Sequence, residues 1–168
     1  MNRRIFVAAG LALLGLGRRA WAQLAEPTAP IRYAPLTRAV KIPSEAVKTP
    51  WQPAEFVAES TASGRRVLIS GVLFRTDTGL SALCVTCPHE QCQVDLVTDE
   101  PRLSRMAGGK STHPLFECGC HLSVFDAAND GARLSGETPR GLYRFRVARV
   151  DEGVVEITEV EAAALSEV

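Results

Sequence analysis

Arg66-Val67-Leu68-Ile69-Ser70 and Val72-Leu73-Phe74-Arg75, followed by Thr76-Asp77-Thr78-Gly79 and then Leu80-Ser81-Ala82-Leu83-Cys84, are the segments whose reading decides the fold. They are rich in β-branched and aromatic residues, which suit a pleated and half-buried surface, and the Thr-Asp-Thr-Gly run supplies a turn. Farther along, Tyr143, Phe145 and Val147 alternate with Arg144, Arg146 and Ala148, the period of a strand with one wet face. Asp151-Glu152-Gly153 makes a glycine-containing hairpin loop, and Val155 and Ile157 resume the alternation. No segment after residue 56 carries a long helical period. The expected class is therefore all-β, with short antiparallel strands in sandwich or barrel form from Phe56 to Val160.

A chain of 168 residues, 46% hydrophobic and 23% charged, holds one such domain and is too short for two full ones. Lysine plus arginine equal aspartate plus glutamate at 19 each, so no basic field favours nucleic acid as a partner. Residues 1–22 read as an address. Asn2-Arg3-Arg4-Ile5-Phe6-Val7 opens an uncharged apolar run to Gly17 that resembles a twin-arginine export signal, and Ala20-Trp21-Ala22 offers a signal-peptidase site before Gln23. A helix over that run spans only about 20 Å, short of the ~30 Å hydrocarbon core, so cleavage is expected, with a retained, tilted anchor as the alternative. Residues 23–55 carry six of the ten prolines and are expected to be an extended linker on a surface, the chain's own or a partner's. Residues 161–168 form a tail with a short helical turn.

Four of the five cysteines, with His89 and His121, fall between residues 87 and 121. Cys87-Pro88-His89 and Cys118-Gly119-Cys120-His121 each offer one thiolate and one imidazole from a tight turn. Tetrahedral zinc fits this composition, but zinc fingers usually draw a cysteine pair from one element and a histidine pair from another. A dinuclear iron site needs the mixed supply, because one iron takes both cysteines and the other both histidines. A secreted β-domain stapled by disulfides is the plainer alternative, and it leaves the matched histidines unexplained. Cys84-Val85-Thr86-Cys87 has the spacing of a thioredoxin-like redox pair without the βαβ setting, so Cys84 is expected as a small buried residue near a strand end. His113 reads as a solvated loop histidine. Gly108-Gly109-Lys110-Ser111-Thr112 reads as flexible loop and lacks the upstream glycine of a phosphate-binding loop.

Cys87-Pro88-His89-Glu90-Gln91-Cys92 and Cys118-Gly119-Cys120-His121-Leu122-Ser123-Val124-Phe125-Asp126 resemble the paired C-x-H-x-x-C and C-x-C-H boxes of the Rieske [2Fe–2S] proteins. The resemblance implies a Rieske-like antiparallel β-sandwich over residues 56–160 with an inserted two-loop cluster-binding subdomain, at about residues 84–126. It implies one [2Fe–2S] cluster, with Cys87 and Cys118 on the inner iron and His89 and His121 on the outer. Cys92 and Cys120 occupy the positions of the inter-loop disulfide of cytochrome bc-type members. An oxidising compartment would preserve that bridge, which is worth roughly 3 kcal/mol less any strain. Ser123 matches the family serine that reaches a bridging sulfide, whereas Phe125 stands where high-potential members carry a donating tyrosine. Hydrogen bonds to cluster sulfurs raise the potential, so a value below the top of the Rieske range is expected.

Two departures bear on placement within the family. Leu122 replaces the glycine usual in bc-type proteins and makes the run look more like arsenite oxidase small subunits. The 28 residues between His89 and Cys118 exceed the usual spacing, with the surplus expected between Asp99 and Pro114. Gly136-Glu137-Thr138-Pro139-Arg140-Gly141 partly matches the proline-containing loop that covers the cluster. The resemblance thus implies an exported electron-transfer protein. Its leading role is the iron–sulfur subunit of a quinol:cytochrome c oxidoreductase, with cytochrome b/c-type partners, a quinol contact at the histidines, and membrane association through the N-terminus or a partner. The alternative is the small subunit of a periplasmic molybdenum oxidase, partnered by a molybdopterin subunit. A structural zinc module and an iron-free thiol–disulfide oxidoreductase are the rivals from other classes. No nucleophile–base pair or carboxylate dyad suggests catalysis by this chain alone.

Overall fold

The structure, a computed structural model, describes residues 30–108, 111–151 and 153–167. The export-signal expectation for residues 1–22 lies outside them. Among the described residues, ten strands form three antiparallel sheets. The first sheet orders β1 (Tyr33–Pro43), β10 (Val154–Glu161) and β9 (Phe145–Asp151); the second orders β2 (Ala54–Ser60), β3 (Val67–Arg75) and β4 (Leu80–Cys84). The third comprises β5 (Val94–Val97), β6 (Leu115–Cys118), β7 (Ser123–Asp126) and β8 (Ala132–Ser135), in that order. No helix among the described residues is long and apolar enough to cross a membrane.

The two segments flanking Gly71 form one strand, β3, which connects two cores. In its first half Val67 and Ile69 are buried while Leu68 and Ser70 are exposed, the alternation of a half-wet strand. From Gly71 on, both faces are covered. Leu73 joins a core with Ile42, Ala58, Phe145, Val155 and Ile157 between the first two sheets. Val72 and Phe74 join a second core with Cys87, Val94, Phe116, Cys118 and Phe125 under the third sheet. Gly71 is needed at the crossover, because a Cβ there would lie 2.6 Å from the Phe56 ring and 2.7 Å from the Phe145 ring.

The linker expected over 23–55 is part of the fold from Tyr33 on. β1 pairs with β10 from Tyr33↔Glu161 to Pro43↔Val154, and Ala34, Leu36, Ile42 and Val47 are buried. Its prolines are tolerated because β1 is an edge strand, where a missing N–H breaks no second ladder, and because the register shifts between Pro35 and Val40. The expected tail is also structural: Glu161 closes β10, and a short helix α2 (Ala164–Glu167) follows, with Ala164 and Leu165 in the first core.

The long inter-box segment is only partly loop. A helix of seven residues, Glu100–Met106, comes first among the helices and is labelled α1. The Asp99 side chain caps it by accepting from the Arg102 N–H at 3.0 Å, and Pro101 sits in the first turn where its missing donor costs nothing. Leu103 buries against Val97, Leu115 and Val124, a third small core on the outer face of the cluster sheet.

Candidate metal centre

Two turns carry the chemistry. The first leaves β4, is bracketed by the Thr86↔Gln93 bridge and returns as β5. Inside it the Cys87 N–H donates to the Cys92 carbonyl at 2.8 Å and the Gln91 N–H to the Cys87 carbonyl at 3.0 Å, with Gln91 left-handed at φ 59°. The second turn joins β6 to β7, whose closing pair is Cys118↔Ser123. Leu122 lies there at φ 53°. A branched residue in that region costs about 1–2 kcal/mol, which glycine would avoid, and Leu122 remains 66% exposed.

The turns are joined at Cys92 and Cys120, whose sulfurs stand at disulfide distance, 2.06 Å, with Cα atoms 6.6 Å apart. Cys84, Cys87 and Cys118 remain free and buried. Cys84 closes β4 as expected, and burial pushes its thiol pKa up. Burial also raises the Cys87 pKa, the His89 backbone opposes this, and the Cys118 thiol in hydrogen-bond contact raises it further. Two buried thiols in contact offer a pair of sulfur ligands, and metal binding releases their protons.

The two histidines are more exposed than the two thiols. Their rings stand edge to face with centroids 4.8 Å apart, and the His121 side chain is 36% exposed with Nε2 3.8 Å from a Glu90 carboxylate oxygen. Among the described residues His89 Nδ1 is buried with no hydrogen-bond partner. Ser123 Oγ is buried in the same state, on a residue with no exposed surface. Orphaned buried polar atoms are costly, so two of them beside two thiols and a second imidazole mark a place built for a group that can receive them. An iron–sulfur cluster fits: the two thiols would bind it as thiolates, the imidazoles would supply nitrogen ligands, and a sulfur would accept a hydrogen bond from the Ser123 hydroxyl. Phe125 is wholly buried opposite Phe116 and offers no donor.

His113 departs from expectation. Its Nε2 lies 2.8 Å from Asp126 Oδ1, and its ring stacks on Trp51 with centroids 5.9 Å apart. It ties the inter-box segment to the end of β7 and to the chain before β2, which explains why it is only 24% exposed. Sequence reasoning also missed Glu90 beside His121 and Gly136 against Ser123. For Gly136 the signal was its place in the 136–141 loop that the resemblance sets over the cluster; a Cβ there would lie 2.3 Å from Ser123 Cα, so only glycine fits, at φ 97°.

Among curated proteins, no sequence matches this chain. Residues 50–146 match the family model of the Rieske [2Fe-2S] domain, a span that begins just before β2 and ends within β9 and so includes both turns.

Proposed function

The chain belongs to the Rieske [2Fe-2S] family, and from that premise we propose that it is an exported electron carrier, the iron–sulfur subunit of a quinol:cytochrome c oxidoreductase-type complex. The family binds a [2Fe–2S] cluster and works with redox partners, so iron–sulfur electron transfer is its chemistry. When bound, the cluster takes up and releases one electron at a time. We assign Cys87 and Cys118 to the inner iron, since both are 1% exposed, and His89 and His121 to the outer, on the side open to solvent. Phe74, Phe116 and Phe125, packed in one core with Cys87 and Cys118, keep water from the inner side. His121 Nε2 can hold or release a proton at the surface, and Glu90 supplies an acceptor beside it. A quinol hydroxyl reaching that nitrogen could give up its proton there.

The observation that carries the bc-type reading is the Cys92–Cys120 pair bridging the two turns. It also suits an oxidising compartment, in line with the arginine pair at Arg3-Arg4, so the periplasm is the proposed location. One observation favours a second reading. Leu122 presents an exposed side chain from a strained turn beside His121, where a larger molybdopterin subunit of a periplasmic oxidase would find an apolar contact. Purification of the untagged protein from its native membrane and soluble fractions tests the choice. Association with a cytochrome b supports the first reading, and association with a molybdopterin protein overturns it in favour of the second.

A further inference from the structure

Glu161 is the most deeply buried acid among the described residues whose exposure is known, 2% exposed at the end of β10. Its carboxylate accepts from the Arg140 guanidinium and, at 3.3 Å, from the Arg144 backbone N–H, with Arg144 Nε at 3.8 Å. A charge withdrawn from water to this extent is retained only when it is paired, and removing one partner leaves the other stranded. The pairing has a definite mechanical consequence. Arg140 belongs to residues 136–141, which leave β8 and return toward β9, whereas Glu161 belongs to the first sheet.

The loop is tied along its length. Arg133 Nη1 donates to the Gly136 carbonyl at 3.2 Å, the buried Thr138 hydroxyl donates to the Arg140 carbonyl at 2.9 Å, and Arg140 lies over the Tyr143 ring at 4.5 Å. At its far end Gly141 packs on the Gly131 carbonyl, which a Cβ would approach to 2.5 Å. At its near end Gly136 abuts Ser123, whose hydroxyl would lie 2.5 Å from a Cβ at that position. Among the described residues Ser123 Oγ has no hydrogen-bond partner, and the backbone of Gly136 packs directly on the residue that carries it.

We propose that Arg140 and Glu161 are positioning residues for the cluster: their ion pair anchors the 136–141 loop to the first sheet and so holds Gly136 against Ser123, keeping the hydroxyl aimed at the site. The inference rests on the assignment of Ser123 as a donor to a cluster sulfur. The sign of one measurement separates this role from a direct electrostatic one. Deleting a buried negative charge by itself favours the added electron and raises the reduction potential, whereas loosening the serine removes a hydrogen bond that favours the reduced state and lowers it.

The test compares Ser123→Ala, Glu161→Ala and the double variant as cluster-loaded full-length proteins, by redox titration and by hydrogen exchange. Glu161→Ala is expected to lower the potential in the direction of Ser123→Ala and by no more, to cause no further fall in the Ser123→Ala background, and to speed exchange at amides 137, 138, 140 and 141 about tenfold or more. If Glu161→Ala does not fold, Glu161→Gln, which keeps the shape and one acceptor, must show the same directions with smaller size. An unchanged or raised potential in a folded, loaded Glu161 variant overturns the inference, as does a fall that persists without Ser123. If Ser123→Ala itself leaves the potential unchanged, the underlying serine assignment fails as well.

Discussion

Ser123→Ala removes one hydroxyl from a wholly buried position where the described residues give it no partner, so its effect is calculable in both cluster-loaded and cluster-free protein. On the proposed assignment, in the loaded protein the hydroxyl would donate to a charged sulfur. Such bonds contribute about 1.5–3 kcal/mol, and because the oxidised cluster also accepts, about half of that separates the two redox states. A difference of about 0.8–1.5 kcal/mol, at roughly 59 mV per 1.4 kcal/mol for one electron, gives a fall of about 35–65 mV. In the cluster-free protein the sign of the stability effect reverses. The orphaned hydroxyl there costs about 1 kcal/mol or more, so the alanine variant should be more resistant to urea than its parent. Redox titration followed by circular dichroism gives the first quantity and equilibrium unfolding of the chelator-treated protein the second. A potential that stays constant or rises in a fully loaded variant would refute the reasoning.

Other substitutions probe separate parts of the site. Replacing Cys92 and Cys120 together by serine opens a closure of sequence separation 28, and calorimetry should show a loss of about 3–4 kcal/mol, about 10 °C in Tm. Phe125→Tyr should raise the potential in redox titration if the buried site admits the new hydroxyl as a donor; a fall would count against its proximity to the cluster. Leu122→Gly relieves a left-handed turn at an exposed position, so chemical denaturation should show no loss and a gain of up to about 1 kcal/mol, opposite to the usual cost of introducing glycine. The raised Cys84 pKa means that the folded state holds its proton more tightly than the unfolded chain. Its contribution is complete below the ordinary thiol value of 9.0 and is lost as pH rises above it, so parent stability should fall faster than that of Cys84→Ala across that window.

Alternation made β3, β9 and β10 legible because each has a half-wet stretch in which pattern and burial coincide, whereas β4, buried from Ser81 to Cys84, was legible from its composition and the turn before it. β1 was hidden by Pro35 and Pro43, which argue against a strand unless it lies at an edge, and edge position depends on the partner, here β10. α1 was hidden by brevity, although Asp99, Pro101 and Leu103 spelled out a cap, a first turn and a buried face. The ligand candidates were legible because four thiol and imidazole groups in two short boxes have few other uses. The surroundings were not. His113 meets Asp126 and Trp51, and Glu161 meets Arg140, across separations that no local pattern records.

The central claim is mixed ligation, with thiolates on one iron and imidazoles on the other. Pulsed electron paramagnetic resonance of the dithionite-reduced protein, with histidine nitrogen labelled, tests it most directly. The account predicts coupling from the nitrogens of His89 and His121, with the coupling from His121 alone missing in a loaded His121→Cys variant. A reduced cluster with no strongly coupled nitrogen, or purified protein without iron and acid-labile sulfide in equal amounts, would contradict it.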